Sequence, residues 1–203
     1  MAGWEFWIDV GGTFTDCIAR DPQGALLQLK LLSSGVTKGR IAEIVAAETV
    51  RDPGREGDPP QFWNGYSVRF LDAHGAPVHE NTVAEFDAQT GQLRFDQPLP
   101  DDIPAGTNYE LSSGEEAPVL AIRYLLGIGL TDAIPDVSVR LGTTRGTNAL
   151  LTRKGARTGF VTTAGFSDIL LIANQDRPRL FDLAIQKPQP LFEHVVEIDE
   201  RVS

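Results

Sequence analysis

The stretch FWIDVGGTFTDCIARD, Phe6–Asp21, constrains the fold more than any other part of the chain. A mostly apolar run delivers Asp9 to a pair of glycines, Gly11 and Gly12. Two threonines follow, Thr13 and Thr15, and then the chain returns to strand-like residues through Cys17 and Ile18. Two short β segments around Gly-Gly predict a hairpin. The turn DPQG and the run ALLQLKLLS add a third strand, so the chain opens as a meander. At the hairpin tip no Cβ blocks close approach to the backbone. Backbone N–H groups with threonine hydroxyls beside them form a cradle for phosphate oxygens. Asp9, at the strand end, is placed to hold a hydrated Mg²⁺ or to orient a water. An ordinary Gly-Gly turn needs neither the acid nor the hydroxyls. No lysine follows the last glycine, and the loop leads into a strand rather than a helix. Both common glycine-rich nucleotide loops are therefore excluded.

Beyond the meander, Ile41, Ile44, Val45 and Glu48 recur at helical spacing, which predicts a helix over 37–51, ended by the breaker cluster DPGREGDPP. Residues 61–112 alternate, with Val68, Phe70 and Tyr66 on one face and a turn at AQTG, and read as an antiparallel β insertion. Ser113 with Glu116 fits a capping box opening a helix through APVLAIRYLLGIG. Strand, helix, strand and helix then alternate through VSVRLGTT, TNALLTRKG, RTGFVTTAG and FSDILLIA, the pattern of an α/β core with parallel pairing. The segment EHVVEIDERV reads as a strand whose partners lie beyond Ser203. The expected domains are an α/β part, 1–60 with 113–203, and the insertion, 61–112.

A second polar cluster, Thr143, Thr144, Arg145, Gly146, Thr147 and Asn148, stands where a strand feeds a helix. Open α/β sheets bind ligands at such positions, and helix N-termini favour anions. One cap residue, Thr147 or Asn148, satisfies the helix. Four Thr/Asn side chains with Arg145 exceed that need and suggest a polar pocket. Arg153 and Lys154 suit the helix C-terminus. Arg177 and Arg179 are open to two uses: binding an anion, or pairing with Asp176 and Asp182.

Composition excludes several classes. The net charge of −10 argues against nucleic acid. One cysteine, Cys17, forms no internal disulfide and reads as a buried structural thiol in a reducing compartment. The three histidines show no metal-ligand spacing. The N-terminus lacks the pattern of a signal peptide, and no window approaches a membrane-spanning length. A cytoplasmic location and no membrane partner are expected.

These residues carry a resemblance. FWIDVGGTFTDCIA resembles the phosphate-binding hairpin of the actin, hexokinase and Hsp70 class of ATP-binding folds. DVGGTFTD, LGTTRGTNALLTRKGARTGFVTTAGFSDIL and FDLAIQKPQPLFEHVVEIDERV together resemble the N-terminal region of the hydantoinase A/5-oxoprolinase family. KLLS and the closing segment lean toward 5-oxoprolinase over hydantoinase or an acetone carboxylase subunit. The resemblance implies a ribonuclease-H-like first lobe with an antiparallel β insertion, and an ATP- and Mg²⁺-dependent amidohydrolase acting on 5-oxoproline or a related cyclic amide. It implies that Gly11, Gly12, Thr13 and Thr15 hold phosphate and that Asp9 serves Mg²⁺ or water. Thr143, Thr144 and Asn148 then line the facing polar pocket. It further implies that the 203 residues are the N-terminal piece of a larger, oligomeric enzyme, without turnover alone. A small-molecule kinase of the same superfold and a non-catalytic binding module are the competing readings.

Overall fold

β1 (Glu5–Val10), β2 (Phe14–Arg20) and β3 (Leu26–Leu32) form the expected meander in the computed structural model, which describes residues 3–175, 181, 184 and 187–200. Strand alternation sorts the side chains. Phe6, Ile8 and Val10 are buried with Thr15, Cys17 and Ala19. Asp9, Phe14, Asp16, Ile18 and Arg20 occupy the outward face. Cross-strand partners are Glu5 with Arg20, Ile8 with Cys17 and Asp9 with Asp16. The first pair is an ion pair.

A seven-stranded antiparallel sheet follows. Its strands are β4 (Thr37–Arg40), β5 (Glu43–Ala46), β6 (Thr49–Arg51), β7 (Ser67–Leu71), β8 (Pro77–Asp87), β9 (Gln92–Phe95) and β10 (Asn108–Ser112). Their order is β4-β10-β7-β8-β9-β6-β5. The expected strands within 61–112 are all present, and Tyr66, Val68 and Phe70 are buried together. The helix expected over 37–51 is not. Ile44 and Val45, two of the three apolar residues on its face, are exposed, whereas Ile41 and the off-face Val50 are buried. Ile44 pairs with Val50 and Glu43 with Arg51 in a hairpin. The alanines imitated a helix, but β-branched Ile44, Val45, Thr49 and Val50 suit a pleated edge, and β9 supplies the partner for β6. The antiparallel sheet thus begins at Thr37, ahead of the expected insertion.

α1 (Ala117–Leu126) closes the first layer. The capping box does not form. Glu116 is the N-cap residue but makes no side-chain cap bond, and the Ser113 hydroxyl accepts from the Glu115 amide instead. Pro118 sits in the first turn, where no N–H is needed. Gly127, at φ +67°, ends the helix in the left-handed conformation. Ala121 and Ile122 pack on Phe6, Ile8, Val10, Cys17 and Ala19. β11 (Ser138–Thr143) then runs parallel to β1, giving a mixed sheet ordered β11-β1-β2-β3. The fold is therefore mixed α/β, with strands outnumbering helices among the described residues.

The chain divides into two units, 1–145 and 146–203. The second holds most of α2 (Arg145–Thr152), with β12 (Thr158–Thr163), α3 (Ile169–Ile172) and β13 (Phe192–Ile198). β13 does not wait for partners beyond the chain. It pairs in parallel with β12, Phe160 opposite Val195 and Val161 opposite Val196.

Candidate functional site

The hairpin tip is tight. The Gly11 amide donates to the Phe14 carbonyl at 3.0 Å, and a Cβ on Gly11 would stand 2.8 Å from that same oxygen. Glycine is required here by close approach. Gly12 and Thr13 are exposed at the apex. Their amides and the Thr13 hydroxyl donate to no described residue.

Behind the tip lies a lashing that sequence reasoning missed. The Ser33 amide donates to the Thr13 carbonyl at 2.9 Å, and the Ser33 hydroxyl donates to the Gly11 carbonyl at 2.8 Å. Thr15 Oγ1 lies 2.9 Å from Ser33 Oγ. The serine proton is already committed to a carbonyl, so the threonine is the donor in that pair. Thr15 is fully buried, so its hydroxyl faces the lashing rather than the apex. This corrects its expected place: alternation from exposed Phe14 turns Thr15 inward. The only sequence cue to Ser33 was KLLS at the end of β3.

Asp9 sits at the end of β1 on the outward face, exposed. Its register partners are Asp16 on β2 and Gly142 on β11. A Cβ on Gly142 would lie 3.9 Å from Asp9 Oδ1, so the glycine leaves that flank of the carboxylate open. Asp16 is bound by Lys30 at 2.8 Å, whereas no described residue pairs with the Asp9 side chain. Two carboxylates directly opposite each other repel unless a cation joins them. Among the described residues no group of three or more His, Cys, Asp or Glu gathers.

Parallel pairing brings the start of the second cluster to the hairpin. Thr143 lies opposite Val10, and the Thr144 amide donates to the Val10 carbonyl at 3.2 Å, one residue before the tip. Thr143 Oγ1 accepts the Arg145 amide at 3.2 Å, and the Arg145 guanidinium reaches Glu116 at 3.2 Å. Because α2 begins at Arg145, neither Thr147 nor Asn148 is its N-cap. The Asn148 carbonyl accepts from Thr152 Oγ1 at 2.7 Å within the second unit. The first unit thus joins Asp9, Gly11–Thr15, Thr143 and Thr144, whereas Asn148 belongs to the second unit. Arg153 adopts φ +52° after α2 and donates to the Gln189 carbonyl. Arg177, Arg179, Asp176 and Asp182 lie outside the described residues. Cys17 is buried, and burial pushes its thiol up to about 11, which removes it as a nucleophile at neutral pH. No described helix is long and apolar enough to cross a membrane.

Two segments, residues 5–55 and 105–203, match the family described as the hydantoinase/oxoprolinase N-terminal region. The chain belongs to this family. It is 46% identical over 100 residues to 5-oxoprolinase 1 of Arabidopsis thaliana, covering 45% of this chain and 8% of that protein. It is 57% identical over 66 residues to 5-oxoprolinase of Dictyostelium discoideum, covering 32% and 5%. Against 5-oxoprolinase of Saccharomyces cerevisiae it is 47% identical over 97 residues, covering 43% and 8%. Each match thus spans less than a tenth of these relatives. The hairpin, α1, β11 and α2 all fall within the family segments, whereas β7, β8 and β9 fall between them.

Proposed function

We propose that this chain is the first, ribonuclease-H-like lobe of an ATP-dependent amidohydrolase that opens the lactam ring of 5-oxoproline to glutamate through a phosphorylated intermediate. One observation carries the reading. The hairpin apex, with donors of Gly12 and Thr13 free of described partners, stands beside an unpaired Asp9 and against the end of β11. The relatives named 5-oxoprolinase support the substrate class. The four-strand order, with a parallel strand added beside an antiparallel meander, supports the superfold.

The residues fit a phosphate and a hydrated Mg²⁺. Mg²⁺ takes one or two carboxylates and keeps waters and phosphate oxygens for the rest. Asp9 supplies that carboxylate, while Asp16 across from it is held by Lys30. Bound Mg²⁺ supplies charge neutralisation at the phosphates. The chain's own residues do the remainder. Gly12 and Thr13 donate to phosphate oxygens. Ser33 and Thr15 hold the tip rigid by fixing the Gly11 and Thr13 carbonyls, so the cradle pays little reorganisation. Thr143 and Thr144 border the substrate side.

The chemistry explains the need for ATP. An amide resists water because nitrogen donates into the carbonyl. Transfer of the terminal phosphoryl group to the lactam oxygen releases ADP and withdraws that donation. Water then adds at the lactam carbon, and the ring C–N bond breaks with a proton taken up on nitrogen, which leaves an acyl phosphate. A second water cleaves that to glutamate and inorganic phosphate.

Asp9→Asn in the complete enzyme tests the proposal. We expect 5-oxoproline-dependent ATP hydrolysis to fall at least about a hundredfold, with an unchanged melting temperature. Unchanged turnover removes Asp9 from the mechanism. Product analysis with labelled ATP separates the kinase reading: glutamate supports hydrolysis, and an accumulating phosphorylated metabolite overturns it.

A further inference from the structure

A cavity of about 330 Å³ opens between β3, the start of β4 and α1. Leu29, Leu31, Leu120, Tyr124 and Trp63 give it an apolar lining. Three cations border it, Lys30, Lys38 and Arg55, against one carboxylate, Asp58, in a chain of net charge −10. Asp58 is fully engaged. Its Oδ2 accepts from Trp63 Nε1 at 2.8 Å and its Oδ1 accepts from the Tyr124 hydroxyl at 2.6 Å. Arg55 is not. Its Nη1 stands 3.3 Å from Asp58, its guanidinium lies 5.5 Å from the centre of the Trp63 ring, and its buried Nε donates to no described acceptor. A guanidinium offers five donors in a planar fork that suits a carboxylate. Lys30 pairs with Asp16, and Lys38 reaches Glu110 only at 3.9 Å. Both lysines are more than half exposed, and such pairs exchange readily. An apolar cavity of this size with a few convergent polar groups is the usual form of a small-molecule site.

We propose that this cavity binds a small organic acid with an apolar or aromatic body, its carboxylate on Arg55 and its body against Tyr124 and Leu120. The cavity reaches the hairpin at Phe14, but Asp9, Gly11, Gly12 and Thr13 do not line it. Asp58 and Trp63 fall between the two family segments, so residues outside those segments complete it.

Phenylacetate and its neutral amide, phenylacetamide, are the probes, titrated into the 203-residue chain and followed by tryptophan fluorescence and two-dimensional NMR. We expect saturable phenylacetate binding with shifts at the Trp63 indole and the Arg55 side chain, and phenylacetamide at least about tenfold weaker. Arg55→Gln should weaken phenylacetate at least about tenfold, and Lys38→Gln about two- to threefold. Because Arg55→Gln strips Asp58 of its cation, Val36→Trp provides a second variant: it fills the cavity from its lining and should abolish binding while the chain stays folded. Asp9→Asn should bind phenylacetate like the parent, so failure at this cavity is distinguishable from failure of the hairpin reading. Equal affinity for acid and amide, no saturable binding, or acid binding undiminished in both Arg55→Gln and Val36→Trp overturns the proposal.

Discussion

The two sheets of the first unit treat aspartate in opposite ways. On the four-stranded sheet Asp9 is exposed, has no described partner and faces Asp16 across the strands. Beside the seven-stranded sheet Asp52 and Asp58 are buried and every oxygen is used. Asp52 accepts from the Tyr109 hydroxyl at 2.6 Å and from the amides of Gly54 and Arg40. Burying a carboxylate is costly unless hydrogen bonds replace its water, so Asp52 and Asp58 hold structure. Asp16 is held by Lys30, whereas Asp9 has no described partner and does no such work for the fold. The same side chain is scaffold in one sheet and, under the proposed function, site in the other, and its partners tell the two apart.

The contrast is breakable by mutation. Asp58→Ala should cost about 3–5 kcal/mol in urea unfolding of the chain, because Trp63, Tyr124 and Arg55 all lose their acceptor. A loss below about 1 kcal/mol would erase the distinction. Gly11→Ala should cost about 1–3 kcal/mol, since its Cβ meets a backbone oxygen that the hairpin fixes. Ser33→Ala should cost about 1 kcal/mol and raise amide exchange at the tip. Asp9→Asn should change stability by no more than about 0.5 kcal/mol, and in the favourable direction.

Cys17 sharpens the same point through pH. Its folded thiol titrates near 11 against an ordinary value of 9.0, because burial disfavours the thiolate. The stability it contributes is complete below pH 9 and is lost as pH rises through 11. Cys17→Ala should therefore flatten that part of the stability profile relative to the parent, with iodoacetamide labelling of the native parent at pH 8 at least about a hundredfold slower than in urea.

Much of the site was legible because local chemistry governs it. Gly11 and Gly12 between alternating strands specify a hairpin, and strand period two places Asp9 outward. The same alternation, applied to Thr15, would have placed it inward, yet the hydroxyl drew attention as a donor. Ser33 was illegible as a lashing because it lies 22 residues from Gly11 and meets it only when β3 pairs with β2. The segment 37–51 misled for a related reason. Its alanines favour helix, and only the distant β9 and β10 supply the partners that make it strand.

Sequence alone determined the meander, the apolar face of β1 and β2, the glycine tip and the family. These rest on periodicity and on backbone sterics, which act over a few residues. Tertiary structure decided which donors remain open at the tip, that the LGTT segment reaches Val10, and that Asp58 is spent on structure while the buried Arg55 Nε has no described acceptor. Those outcomes depend on strand pairing and burial between residues far apart in the chain, where no local preference reaches.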